Sequence, residues 1–120
     1  SVYLLEKQLE EAGVDTSFMH GRQQNWPEDL PGLGGWIASV AEGIVHAAIS
    51  AHAFLDLDAV VIEGALPLSV KQQLLARCKY HYQQADLRGL SSLTFLPGTV
   101  GAEARALGCA NLPLLAQFSL

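Results

Sequence analysis

Apolar and polar positions follow two rhythms along the chain, and each change of rhythm marks an element. Over residues 2–12, Val2, Leu4, Leu5 and Leu9 fall on one side and Glu6, Lys7, Glu10 and Glu11 on the other, which predicts an amphipathic surface helix. Gly13 stands where such a helix commonly stops, because glycine enters the left-handed conformation without a Cβ penalty. Residues 14–33 keep no period and contain Gly21, Pro27, Pro31 and Gly32. They read as a connector with room for a short helical turn, packed down by Trp26. From Gly35 to Leu55 the residues Trp36, Ile37, Val40, Ala41, Ile44, Val45, Ala48, Ile49 and Phe54 recur at three- and four-residue steps. This pattern predicts a long central helix buried on most faces. Its alanines keep it thin, so neighbouring backbones can approach closely and gain dispersion contacts.

The stretch 55–67 organises the second half of the chain. Ala59, Val60, Val61 and Ile62 form a short apolar, β-branched run without alternation, the mark of a strand covered on both faces in a parallel α/β sheet. Glu63 and Gly64 end it at the carboxyl edge, where open α/β sheets take their ligands. Ser69 and Gln72 have capping-box spacing, which predicts a helix from Val70 to about Ala85. Val70, Leu74, Cys78 and Tyr82 are its inner positions, and Lys71, Gln72, Arg77, Gln83 and Gln84 its solvated ones. Residues 93–96 (Leu-Thr-Phe-Leu) predict a second strand closed by Pro97 and Gly98. Strand, helix and strand in this order make a βαβ unit, with parallel strands and a right-handed crossover. A last helix is expected from Val100, capped by Thr99 and ended by Pro113. The apolar tail 114–120 then needs burial.

These elements predict one α/β domain, with a helix and connector over 1–34 and an α-β-α-β-α core over 35–120. Two strands make too little sheet for so many apolar helices. The chain is therefore expected to be the carboxyl-terminal part of a longer domain, or to associate with a second copy that supplies what each lacks. Association is expected to be a two-fold dimer, with the contact on the 36–55 helix or the closing helix, because an isolated copy would expose large apolar patches.

Composition narrows the function classes. Half of the 120 residues are hydrophobic and the mean hydropathy is +0.24, enough for one modest globular core. The formal net charge of -5 offers no positive field for a phosphate backbone, so sequence-independent nucleic-acid binding by these residues is disfavoured and any DNA contact belongs elsewhere. Cys78 and Cys109 each sit in a helical apolar pattern, which fits reduced core thiols in the cytoplasm. Residues 38–55 are the most apolar long run, but Glu42, His46, Ser50 and His52 interrupt them, so no membrane span is expected.

Candidate chemistry is sparse. His20, His46, His52 and His81 include no pair at the four-residue spacing that sets two imidazoles on one helical face, so no metal site is expected. No nucleophile, histidine and acid stand in a catalytic arrangement, and no Gly-x-x-x-x-Gly-Lys loop is present. Lys71, Arg77, Lys79 and Arg88 read as a solvated helix face. Glu63 is the charge of interest, because a carboxylate at the end of a buried strand either caps a turn or meets a ligand.

The order of residues 35–67, from Gly35-Trp36-Ile37 through a small-residue helix to Ala59-Val60-Val61-Ile62-Glu63-Gly64-Ala65-Leu66-Pro67, resembles the carboxyl-terminal part of the ROK family of sugar-responsive repressors and sugar kinases. The segment 97–114, with its Gly-Ala steps and closing Leu112-Pro113-Leu114, is similar to the family's last helix. The resemblance implies an actin-like ATPase, or ribonuclease-H-like, fold of which this chain is part of the second lobe. It implies a sugar or sugar-phosphate effector, and it puts the family's phosphate loop, catalytic aspartate and zinc cluster before Ser1. In kinase members the loop after the first strand is Gly-Gly-Gly-like and approaches the adenosine of ATP, which acts with magnesium. Here Glu63, Ala65 and Leu66 surround a single Gly64, which looks more like the repressor branch. The ligand-loop or nucleotide-loop candidates are therefore Glu63, Gly64 and Gly98, with no catalytic residue and no cofactor in this chain on the repressor reading, and ATP on the kinase one. A free-standing dimeric α/β interaction module is the further alternative.

Overall fold

The computed structural model describes residues 1–20, 25–85, 92–98 and 114–120. Its elements are helix α1 (Val2–Glu11), a 3-10 turn (Ser17–His20), helix α2 (Leu33–Leu55), strand β1 (Ala59–Glu63), helix α3 (Leu68–Gln84) and strands β2 (Thr94–Pro97) and β3 (Leu115–Ser119). The strands form one sheet in the order β2-β1-β3, and β1 runs parallel to both neighbours. The class is α/β.

β1 is central because its residues tolerate burial on both sides. Val60 and Ile62 point into the main cluster shared with α2 and α3. Ala59 and Val61 take the opposite face by strand alternation, yet they too are 0% and 1% exposed. The parallel pairing of β1 with β2 across α3 gives the expected βαβ unit.

β3 corrects the expected strand count. The tail is a strand laid in parallel on the free edge of β1, with Val60 beside Ala116 and Ile62 beside Phe118. Ala116, Phe118 and Leu120 pack against the core, while Gln117 and Ser119 are exposed. The tail, expected to need burial, is thus half-buried by edge pairing as a third strand. The helix expected from Val100 lies outside the described residues, as do Arg88 and Cys109.

α2 packs along α3 and reaches β3, while α3 lies over β2. Trp36, Ile37, Ala41, Ile44, Val45 and Ala48 form its buried stripe. The helix is 23 residues long with mean hydropathy 1.3 in its most apolar window. By length and composition it meets the measure for a membrane span in spite of its interrupting polar residues, a measure that core helices of soluble proteins also meet.

α3 begins earlier than the capping box predicts. Pro67 is the N-cap, Leu68 opens the helix, and no side chain caps it. The Pro67 carbonyl already accepts from the Lys71 N–H at 3.0 Å, the first bond of the helix, and proline at this position forfeits no helical N–H. Ser69 and Gln72 then lie inside the first two turns.

α1 ends as expected. The Gly13 N–H donates to the Glu10 carbonyl at 3.0 Å and the Val14 N–H to the Leu9 carbonyl at 2.9 Å, the paired bonds of a Schellman motif. Gly13 has φ +82° there. Leu5 and Leu9, fully buried, carry α1 onto the core, and the Trp36 indole N–H donates to the Ser1 carbonyl at 3.0 Å. Trp26 meets Phe18 edge-on at 6.0 Å between ring centroids, which folds the connector back against the core.

Candidate functional site

The three candidate residues converge at the carboxyl edge of the sheet. Glu63 is the last residue of β1, Gly64 follows it, and Gly98 follows β2. Parallel strands in register make this convergence unavoidable, because Ile62 stands beside Pro97 and Glu63 beside Ser119. Three chain segments far apart in sequence therefore end side by side.

Their contacts are mostly with one another. The Gln117 side-chain amide donates to Glu63 Oε2 at 2.6 Å, and the Leu120 N–H donates to the Glu63 carbonyl at 2.9 Å. The carboxylate thus accepts a neutral amide from β3, where a backbone turn cap was one of the two sequence expectations. Gly98 lies so close to Glu63 that an added Cβ would stand 2.6 Å from its Cγ and 3.2 Å from its Cα. At Gly64 an added Cβ would stand 3.0 Å from the Leu120 Cβ. Both glycines are therefore needed for close approach within the protein. The Leu66 N–H closes the loop on the Gly64 carbonyl at 2.9 Å.

Gln117 and Leu120 belong to this edge and were not singled out from the sequence. A signal for them was present in the alternation of Ala116, Phe118 and Leu120 with Gln117 and Ser119, which is strand patterning.

The larger concavities lie on the helical side. One groove of about 510 Å³ between α2 and α3 is lined by Gly34, Ile37, Ala38, Ala76, Arg77 and Tyr80, among others. The Arg77 guanidinium there lies 5.3 Å from the Tyr80 ring centroid. A second groove of about 500 Å³ runs between α1 and α2 beside Leu4 and Trp36. Neither includes Glu63, Gly64 or Gly98, so concavity and the sheet-edge rule point to different places. The sheet edge rests on topology; the grooves are open surface features between helices.

The remaining polar groups are dispersed. His20 Nε2 lies 2.6 Å from Glu6 Oε1, and the Thr16 hydroxyl donates to Glu10 Oε1 at 3.2 Å, which ties the 3-10 turn to α1. His46 is exposed, His52 is buried in α2, and His81 meets Tyr80 edge-on at 5.7 Å. Among the described residues no three of His, Cys, Asp and Glu gather as a metal group. Cys78 is a free thiol fully buried in α3, and burial pushes its pKa up to about 12, so it is a core side chain and no nucleophile.

Compared with protein-family models, curated proteins and solved structures, the chain matches none.

Proposed function

We propose that the chain is the carboxyl-terminal part of the effector-sensing and oligomerisation domain of a ROK-type transcriptional regulator. The fold would be part of an actin-like ATPase domain. The full-length cytoplasmic protein would bind a sugar or sugar phosphate and reach DNA only through an amino-terminal part, and this chain would carry no catalysis.

The observation that carries the reading is the order α2, β1, α3, β2 with β1 and β2 parallel, since α2 and β1 are formed by the segment 35–67 that carries the first part of the family resemblance. The acidic balance of the chain, -5 in all, supports a sensing part over a DNA-reading one.

The carboxyl edge favours the sensor over the kinase. The two loop glycines are taken up by Leu120 and Glu63, so the loop that approaches adenosine in kinase members is here packed against the chain's own side chains.

Two measurements test the reading on the natural full-length protein. Titration with ATP and magnesium is expected to give no heat of binding, and titration with hexoses and hexose phosphates is expected to find a ligand that releases the protein from DNA. Micromolar magnesium-dependent ATP binding would favour the kinase instead. Absence of any helix-turn-helix in the full-length protein would remove the repressor reading.

A further inference from the structure

β3 closes one side of the sheet, and its own outer edge is unpaired among the described residues. The Leu120 N–H donates to the Glu63 carbonyl, and the Leu114 carbonyl accepts from the Asp58 N–H. The even-numbered residues of this segment therefore turn their backbone groups toward β1. In a parallel ladder these groups alternate in direction, so Leu115, Gln117 and Ser119 turn their N–H and C=O groups outward.

Exposed edges normally carry a charge, a proline, a bulge or a cover that prevents pairing with another chain. β3 reads Leu-Ala-Gln-Phe-Ser and has neither charge nor proline. The opposite edge differs. β2 is four residues long and ends in Pro97, which has no N–H to give.

We propose that the β3 edge docks β3 of a second copy of this chain, antiparallel about a two-fold axis at Gln117, so that two three-stranded sheets become one continuous sheet. In this register Leu115 stands opposite the partner's Ser119 and Gln117 opposite the partner's Gln117. Every outward-turned residue meets another, and the pairs exchange about six backbone hydrogen bonds. A shift of one residue would set inward-turned groups against outward-turned ones.

The side chains agree with this register. Ala116 and the partner's Phe118 lie on the core face, so both helical layers stay on the same side of the joined sheet. The acidic chain would repel its copy in general, but the paired strands bring no charge opposite another. Two-fold closure uses both edges at once and leaves no open end for further growth except the Pro97-blocked β2 edges. The proposal does not rest on sugar sensing, since assembly and ligand titration fail independently.

Sedimentation of the full chain from low to high micromolar concentration tests it together with two variants. Ser119→Pro removes an outward N–H and leaves the bonds to β1 in place, so the dimer is expected to weaken at least about tenfold, since Ser119 stands in two of the three facing pairs and each loses one of its two bonds. Gln117→Cys sets two thiols across the axis at a Cα separation of about 5.5 Å, within disulfide range, so mild oxidation is expected to cross-link it. Tyr80→Cys, exposed on α3, is the control that should stay uncross-linked. A monomer throughout, a dimer that Ser119→Pro leaves intact, or a Gln117→Cys chain that does not cross-link overturns the proposal. Should Ser119→Pro lose its folded circular dichroism, the cross-linking comparison decides alone.

Discussion

Asp58 holds both backbone polar groups of Leu114: the carboxylate Oδ2 accepts from the Leu114 N–H at 2.6 Å, and the Asp58 N–H donates to the Leu114 carbonyl at 2.8 Å. The residue before β1 thereby sets where β3 begins. Leu115 then falls beside Ala59, and each later pair follows.

Asp58→Ala removes the charged acceptor and leaves the backbone bond. The side chain is exposed, so the loss is expected to be about 1 kcal/mol, at the low end for a charge-assisted bond. Urea unfolding measures it. Asp58→Asn, which keeps an oxygen acceptor without the charge, should lose less. Equal stability of all three chains would show that β3 is held by its ladder alone.

The two glycines at the carboxyl edge should respond unequally. At Gly98 a new methyl meets backbone as well as side chain of Glu63, at 3.2 Å from Cα and 2.6 Å from Cγ. Gly98→Ala is therefore expected to cost about 1–3 kcal/mol, the usual range for overpacking. At Gly64 the obstacle is the side chain of Leu120 at 3.0 Å, which can swing away. Gly64→Ala should cost less than Gly98→Ala in the same denaturation series.

Two other glycines predict opposite signs. Gly13 has φ +82° and nothing within 4 Å of an added Cβ, so Gly13→Ala costs only backbone strain, about 1 kcal/mol. Gly43 lies inside α2, also with open space around it. Gly43→Ala should stabilise by about 0.5–1 kcal/mol through helix propensity and a less flexible unfolded chain. Thermal melts of the two variants should move in opposite directions.

Cys78 links stability to pH. Its folded pKa is raised from 9.0 to about 12 by burial, so above pH 9 the unfolded chain releases a proton that the folded chain retains. The stability contributed by the neutral buried thiol is complete below pH 9 and is lost as pH rises toward 12, by up to about 1.4 kcal/mol per pH unit. Burial raises the Tyr82 pKa as well, which adds a loss of the same sign above its ordinary range. Unfolding between pH 8 and 11 checks the slope. Native Cys78 should also resist a thiol reagent at pH 8 until denaturant is added.

Local patterns were legible in the chain. The end of α1 at Gly13, the buried stripe of α2 and the fully covered run of β1 each follow from residues within a few positions of one another, because helix and strand periods are local properties. The α3 start shows local competition: Ser69 and Gln72 have the right spacing for a cap, but Pro67 is already committed to the position before the helix. β3 was legible only as faint strand patterning, since three half-buried and two exposed residues make a short period, and only the free edge of β1 makes them a strand. The carboxyl edge divides the same way. Its place was written in Glu63 and Gly64 at the end of an apolar run, whereas its contents, Gln117 on the carboxylate, Gly98 under the Glu63 side chain and Leu120 against Gly64, depended on register between segments far apart in sequence. The chain by itself determined which stretches are helix or buried strand, because those choices rest on near neighbours; tertiary structure decided which strands lie side by side and which side chains meet at their ends, because long-range pairing is settled only when the whole sheet assembles.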